Sequence, residues 1–217
     1  LTLREHVGQA LAEGSLPRAR MQVLSILLKL RQVCCHPKLF LPDYEGSSGK
    51  LELLVQIVHN AIAAKRRMLI FSQFVGMLQM IRRRLGREGI QTLYLDGETR
   101  PDKRQELCDR FNGGEGRVFL ISLKAGGTGL NLTGADLVMH YDPWWNPAAE
   151  DQATDRAHRI GQTHDVDVVK LIAQGTIEEK VTDLSKRKRA VFDRVVMAGE
   201  TELRSLSEED IRALFFS

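Results

Sequence analysis

Residues suited to phosphate chemistry are concentrated in the segment Asp151–Gln162. Gln152, Arg156 and Arg159 are spaced i, i+4 and i+7, so a helix would present all three on one face. Gly161 is positioned to end that helix. Two arginines one turn apart can hold a phosphoryl group through paired hydrogen bonds and offset the charge that develops when it is transferred. The segment is therefore a candidate catalytic element.

The same segment has a simpler alternative interpretation, a solvated helix face. Asp155 and Arg159 are four residues apart and would pair on such a helix. The position in the chain favours phosphoryl binding, because the predicted helix Pro147–Ile160 follows the predicted strand Leu137–Tyr141. It would begin at the edge of a sheet where ligands bind.

A glycine-rich segment, Lys124–Asn131, directly follows the predicted strand Val118–Ser122. Three glycines surround Thr128, and they expose backbone N–H groups to which a phosphate can come close. The dinucleotide-binding fingerprint is not satisfied, because its third glycine position falls on Leu132. The alternative is a tight strand-to-helix connection, and the segment alone does not decide between the two.

The sequence Gly46–Lys50 resembles a phosphate loop only superficially. The first glycine of that motif would fall on Tyr44, and the Ser or Thr that holds magnesium is replaced by Leu51. We interpret the segment as a linker that leads into a helix.

Both tryptophans, Trp144 and Trp145, lie between two prolines in the segment Tyr141–Pro147. Aromatic rings in such a loop can stack on nucleic acid, whereas a tryptophan beside proline more commonly packs on a neighbouring element. We expect one ring in each role.

No metal site is predicted. Cys34, Cys35 and His36 offer donors, but adjacent cysteines rarely bind one metal together and no second cysteine pair occurs. With Cys108 the cysteines are odd in number, which favours reduced thiols and an intracellular location, cytoplasmic if the source is bacterial and nuclear if it is eukaryotic.

The motifs lie between short apolar runs, typical of buried strands, and amphipathic segments, typical of helices. The pattern predicts an α/β fold with an open, mostly parallel sheet and helices on both faces. Ligands of such sheets bind beyond the carboxyl ends of the strands. The predicted strands are Met68–Phe71, Thr92–Leu95, Val118–Ser122, Leu137–Tyr141 and Val166–Ile172, and the predicted helices are Leu51–Ala64, Val75–Glu88, Pro101–Phe111, Pro147–Ile160 and Ile177–Val196. A further helix is predicted to start near Ser15 and to end at Pro37.

The composition of the 217 residues is that of a globular domain, with 43% hydrophobic and 27% charged residues. No apolar run approaches the roughly 20 residues that a membrane span needs. The chain begins at Leu1, which favours a piece of a longer protein.

The net charge of +3 conceals an uneven distribution. Residues Lys65 to Arg104 contain ten Lys or Arg and four Asp or Glu, a local charge of +6. The stretches Lys65–Arg67, Arg82–Arg84 and Lys186–Arg189 would form a nucleic-acid track only if they coincide on one surface.

Taken in order, these motifs resemble the second RecA-like lobe of the Swi/Snf family of superfamily-two DNA-dependent ATPases. The resemblance extends from about Leu16 to Val196 and implies three parts. These are a helical lead-in and linker (1–49), a helicase C-terminal lobe (50–175) and a C-terminal helix with a bracing tail (176–217). The matching motifs are Leu30–Pro37, Ile70–Phe74, Asp96–Thr99, Lys124–Leu132, Trp145–Pro147, Asp151–Gln162 and Gly175–Lys180.

The resemblance also implies a role for individual residues. Arg156 and Arg159 would be catalytic arginine fingers. The ATP-binding positions would be Gly127, Thr128, Gly129 and Gln152. The DNA-binding positions would be Ser72, Gln73, Thr99, Lys124 and Trp145, mostly through phosphate contacts. Glu98 departs from the family pattern, which usually has a small hydroxyl residue there.

The resulting hypothesis is a motor lobe of an ATP-dependent translocase on double-stranded DNA, predicted to be monomeric. ATP and magnesium would be held mainly by an N-terminal RecA-like lobe, with none tightly bound here, so this chain alone would not hydrolyse ATP. The alternative is a non-catalytic module that binds nucleic acid or a partner.

Overall fold

The computed structural model describes residues 16–126, 129–144, 147–157 and 165–192. A short 3-10 helix, Pro37–Leu39, follows the first helix. The α-helices of the described residues are α1 (Leu16–Cys35), α2 (Gly49–Ala63), α3 (Val75–Arg87), α4 (Pro101–Asn112), α5 (Leu123–Gly126), α6 (Pro147–Thr154) and α7 (Ile177–Phe192). The strands are β1 (Met68–Ser72), β2 (Thr92–Leu95), β3 (Val118–Ser122), β4 (Leu137–His140) and β5 (Asp167–Lys170).

The five strands form one parallel sheet in the order β2-β3-β1-β4-β5. Every residue of β1, β3 and β4 is buried, whereas β5 lies at an edge and is largely exposed. Fully buried central strands need no alternation of apolar and polar residues, because helices cover both faces of the sheet. The predicted open parallel α/β fold is confirmed.

The two faces of the sheet hold separate apolar clusters. Met68 and Ile70 of β1 point to the face covered by α2 and α3. Leu69 and Phe71, which alternate with them, point to the face covered by α4, α5 and α6. This alternation follows from the two-residue period of a strand.

The first and last described helices pack against each other. Val23 and Leu27 of α1 contact Val181 and Leu184 of α7, and Val23, Leu27 and Val181 are fully buried. The helical segments predicted before and after the sheet therefore share one small core.

Most predicted element bounds agree with the structure to within a few residues, with one difference that matters for the site. The helix predicted to extend to Ile160 ends at Thr154, and a turn follows over 155–157. The amide of Ala157 bonds the carbonyl of Thr154 at 3.0 Å, one residue closer than in an α-helix. The carbonyl of Arg156 accepts instead from the amide of Leu132 at 2.9 Å. This tertiary contact accompanies the end of the helix at Thr154.

Among the described residues, no helix is both long and apolar enough to cross a membrane.

Candidate functional site

The candidate site lies at the carboxyl edge of the sheet, where β1 and its two neighbours end side by side. Ser72 at the end of β1 is in register with Ser122 at the end of β3. His140, the last residue of β4, is in register with Phe71. The loops that follow these three strands carry most of the predicted site residues, so the topology brings these segments to one edge of the sheet.

Arg31 of α1 reaches this edge and binds the loops after β1 and β4. Its side chain is buried, with 1% of the residue exposed. Nη1 donates to Oε1 of Gln73 at 2.9 Å. Nη2 lies 3.5 Å from Oδ2 of Asp142 and also donates to the carbonyl of Pro143. One guanidinium thus joins two adjacent loops through its planar fork of donors.

Two aromatic rings enclose the same guanidinium. The guanidinium carbon Cζ of Arg31 lies 5.7 Å from the centre of the Phe74 ring and 5.3 Å from the centre of the Trp144 ring. Burial lowers the pKa of Arg31, and the charge of Asp142 acts in the opposite direction. Trp144 is the packed tryptophan expected from the sequence, whereas Trp145 lies outside the described residues.

Asp142 is the acidic partner in this cluster. Burial raises its pKa to about 6, although Arg31 and the Ser72 hydroxyl act to lower it. Within a buried ion pair of this kind each charge depends on the other, because neither can be hydrated.

Ser72, predicted to contact DNA directly, is 1% exposed. Its hydroxyl donates to Asp142 and accepts from the amide of Phe74 at 3.1 Å. A direct contact with DNA stays a prediction, and in this structure the hydroxyl is engaged inside the protein. Ser72 instead holds the turn that presents Gln73.

Gln73 is half-buried and oriented by Arg31. Its Oε1 is engaged by the guanidinium, and its Nε2 is buried with no hydrogen-bond partner within the described residues. The Arg31 contact therefore holds the Gln73 amide group within the loop cluster.

The Asp96–Thr99 loop after β2 is held by the carboxylate of Asp96. Oδ1 accepts from the amides of Glu98 and Thr99 at 3.0 and 3.2 Å and from the Thr99 hydroxyl at 3.1 Å. Burial acts to raise the pKa of Asp96, but these hydrogen bonds and that from Tyr94 outweigh it and lower the pKa. The loop therefore has a defined shape, with Thr99 half-buried and Glu98 exposed.

Arg104 of α4 completes this loop. Its Nε donates to the carbonyl of Thr99 at 2.7 Å and its Nη2 to the carbonyl of Gly97 at 3.0 Å. Arg104 thus binds backbone carbonyls of the loop and forms no ion pair with Glu98. Within the described residues, the exposed Glu98 carboxylate has no cationic partner.

The glycine-rich segment and the arginine segment are packed together. Leu130 and Leu132 share an apolar cluster with Ala153 and Ala157, and the Leu132 amide bonds the Arg156 carbonyl. Gly129 has a φ of +51°, a conformation that favours glycine.

The individual side chains of these segments differ from the expected arrangement. Lys124 on α5 is exposed, and Gln152 on α6 is also exposed, whereas Arg156 is 8% exposed. Gln152 and Arg156 therefore do not share one helix face, because α6 ends between them. Gly127, Thr128 and Arg159 lie outside the described residues.

Lys50, the lysine of the superficial phosphate-loop match, is used inside the protein. Its ammonium pairs with the buried carboxylate of Glu178 in α7 and donates to the carbonyl of Leu171 at 3.2 Å. It also lies 5.5 Å from the centre of the Tyr141 ring. Lys50 thus joins α2 to α7 and is not free to bind phosphate.

Sequence reasoning missed Arg31 and Asp142. A signal for Arg31 was present, because Val23, Leu27, Arg31 and Cys35 form an i+4 stripe that is buried throughout. A charged residue within an apolar stripe indicates a buried ionic partner. Nothing local to Asp142 identified that partner.

No group of three His, Cys, Asp or Glu residues placed to hold a metal ion occurs among the described residues.

The sheet order, the helices on both faces and the polar loops at the carboxyl edge define a RecA-like α/β lobe. A sequence profile of the helicase conserved C-terminal domain matches residues 49–161. The solved C-terminal domain of the Sulfolobus solfataricus SWI2/SNF2 ATPase superposes with a TM-score of 0.73 and 32% identity, covering 97% of this chain and 90% of that one. The chain belongs to the helicase C-terminal domain family, in its Swi/Snf branch.

Two further relatives extend the comparison. The SWI2/SNF2 ATPase core of S. solfataricus in complex with double-stranded DNA gives a TM-score of 0.75 at 34% identity, covering 97% of this chain and 46% of that one. A putative ATP-dependent helicase/translocase of Bacillus subtilis, YwqA, is 41% identical over 199 residues, covering 89% of this chain and 22% of the relative. The chain spans between 9% and 22% of the length of the curated relatives it matches.

Proposed function

We propose that this chain is the C-terminal motor lobe of an ATP-dependent translocase that acts on double-stranded DNA. The observation that carries the proposal is the joining of the glycine-rich segment to the arginine segment through the Leu132 amide and the Arg156 carbonyl. This contact joins the two segments that are predicted to bind phosphate. The name of the B. subtilis relative and the DNA complex of the archaeal one support the same function.

The proposed split of nucleotide-binding groups between this lobe and an N-terminal lobe is based on the groups that this chain contains. It contains arginines and glycine-flanked backbone amides, but the one candidate phosphate-loop lysine, Lys50, is bound to Glu178. ATP and magnesium would be held mainly by an N-terminal lobe. ATP supplies the phosphoryl group that is transferred to water. Arg156 and Arg159 would offset the developing charge, and Gly127, Thr128, Gly129 and Gln152 would complete the nucleotide-facing side.

DNA contact is assigned to the exposed and half-buried groups of the edge. Gln73, Thr99, Lys124 and Trp145 would contact the backbone without reading sequence. Ser72 would act indirectly, by holding the turn before Gln73.

The test is ATP hydrolysis by this chain alone and after addition of its N-terminal lobe, each with and without duplex DNA. DNA-stimulated turnover only in the combined sample is expected. Turnover by the isolated chain would overturn the division of labour.

In the complete protein, Arg159→Ala is expected to abolish hydrolysis and leave DNA binding nearly intact, because arginine fingers contribute on the order of 10³ to 10⁵ in rate. Lys186→Ala, which removes a cation whose carboxylate partner is Asp183, is the matched control. Wild-type hydrolysis by Arg159→Ala would contradict the assignment, whereas duplex binding without any hydrolysis by the complete wild-type protein would favour a non-catalytic binding module.

A further inference from the structure

The outer surface of α3 carries an unusual group of exposed arginines. Arg82, Arg83 and Arg87 are exposed, and none of them has a carboxylate partner within the described residues. Their neighbour Arg84 is different, since it pairs with Glu52 at 3.3 Å and with Glu88. Three uncompensated cations on a 13-residue helix favour binding of an anionic partner.

A groove of about 550 Å³ separates α3 from the segment that follows α1. Four cations and two carboxylates line it, and one of those carboxylates, Glu52, is neutralised by Arg84. Burial and the nearby Lys38 lower the pKa of His36, which also lines this groove. The cations are Lys38, Arg83, Arg84 and Arg87, and the carboxylates are Glu45 and Glu52.

A second groove of about 480 Å³ shares Arg83 with the first and is lined also by Gln79, Arg82 and Tyr94. The Arg82 guanidinium lies 5.3 Å from the centre of the Tyr94 ring. The Tyr94 hydroxyl donates to Oδ2 of Asp96 at 2.8 Å. The two grooves therefore adjoin at Arg83, and this strip of surface reaches Tyr94, which is bonded to Asp96. We name this strip the α3 arginine track and define it by Lys38, Arg82, Arg83, Arg87 and Tyr94.

Two arginines of the basic stretch Lys65–Arg67 are engaged by neighbouring groups of the protein. Arg66 pairs with Asp136 at 3.0 Å and with Asp167 at 2.6 Å. Arg67 packs over the Phe111 ring at 4.2 Å and donates to the Phe111 carbonyl. The excess positive charge is thus available mainly on α3.

We infer that the α3 arginine track binds the phosphate backbone of the duplex, as a continuation of the contact made by the Thr99 loop. The inference rests on the proposed function, because it takes duplex DNA as the ligand. Guanidinium forks match phosphate oxygens. The track lengthens the footprint of the lobe along the DNA without adding sequence preference.

The test measures the affinity of the complete protein for a mixed-sequence duplex at salt concentrations of roughly 50 to 200 mM. Each phosphate contact contributes a slope of about −0.9 to the plot of log affinity against log salt. Arg83→Gln with Arg87→Gln is therefore expected to flatten the slope by about 1.8 and weaken binding at low salt. Arg83→Lys with Arg87→Lys keeps the charges and is expected to keep most of the slope.

Lys65→Gln with Arg117→Gln is the matched control, since it removes two exposed cations before β1 and β3 that have no carboxylate partner within the described residues. A wild-type slope in the track variant, or an equal loss in both double variants, would overturn the inference. If the wild-type protein hydrolyses ATP in response to duplex and the track variant keeps its slope, the inference fails and the proposed function stands. If the wild-type protein neither binds duplex nor responds to it, both fail.

Discussion

Nη1 of Arg31 and Oε1 of Gln73 are 2.9 Å apart, although the two residues are separated by 42 positions in the chain. Through this bond a helix outside the sheet orients an amide at the predicted DNA edge. The same guanidinium binds the loop after β4, so the lead-in helix is part of the site rather than an appendage. Helix α1 also packs on α7, which couples both terminal segments to the loop geometry.

Replacing Arg31 by Met is expected to lower the free energy of unfolding by about 3–5 kcal/mol, because Asp142 is left buried without its cation. Urea unfolding of the chain measures this loss. Arg31→Met combined with Asp142→Asn is expected to lose less than the sum of the two single variants, since the unpaired charge is removed. A loss below about 1 kcal/mol for Arg31→Met alone would contradict the buried pair.

His140 is expected to make stability depend on pH. Burial lowers its pKa to about 4, whereas an unfolded histidine titrates near 6.5. Between these two pKa values the unfolded chain binds more protons than the folded chain. The stability contributed by the neutral imidazole is therefore present above pH 6.5 and is lost as the pH falls towards 4.

The comparison with His140→Gln isolates this contribution from that of other groups. The stability advantage of the wild type over the variant is expected to shrink by about 2 kcal/mol between pH 7 and pH 5. Urea unfolding at both pH values measures it. Asp142, with a pKa raised to about 6, acts in the opposite direction and is present in both proteins. A pH-independent difference would show that His140 is readily protonated in the folded chain.

Lys50→Met tests whether this lysine is a structural group. Its ammonium and the Glu178 carboxylate are 7% and 0% exposed, so we expect a loss of about 3–5 kcal/mol in the free energy of unfolding. Lys103→Met is the matched control, because its pair with Glu106 is exposed and should contribute at most about 0.5 kcal/mol. Similar losses in the two variants, measured by urea unfolding, would contradict the role assigned to Lys50.

The elements set by local chemistry could be predicted from the sequence. The bounds of β2 and β3 coincide with the prediction, because each is a short apolar run between polar or glycine-rich segments. Helix α6 was predicted too long because its end depends on the Leu132 amide, which lies far away in the sequence. The buried role of Arg31 could not be predicted for the same reason, because its carboxylate partner Asp142 is 111 positions away in the sequence.

Residue type also does not reveal burial at a sheet edge. Ser72 and Gln73 are adjacent polar residues with similar sequence signals, yet the structure buries the serine hydroxyl and half-buries the glutamine. The difference depends on Asp142, which follows β4. Its carboxylate binds the Ser72 side chain but only the backbone amide of Gln73.

Glu98 is expected to weaken DNA binding. Its side chain is exposed beside Thr99, and its amide, which donates to Asp96 Oδ1 at 3.0 Å, is retained by any residue other than proline. Glu98→Ser therefore keeps the loop and removes one negative charge from a surface that would face phosphates. Two unit charges 4 Å apart in water interact by about 1 kcal/mol, so the complete protein should bind duplex about fivefold more tightly.

Fluorescence anisotropy at low salt measures this gain, which should fade as salt is raised because the screening length shortens. Glu115→Ser is the matched control, since it makes the same change in net charge at the far end of α4, where the carboxylate pairs with Arg110. A gain specific to Glu98→Ser would locate the DNA at the Asp96–Thr99 loop. Equal affinities of the two variants for duplex would contradict the prediction that this loop, including Thr99, contacts DNA.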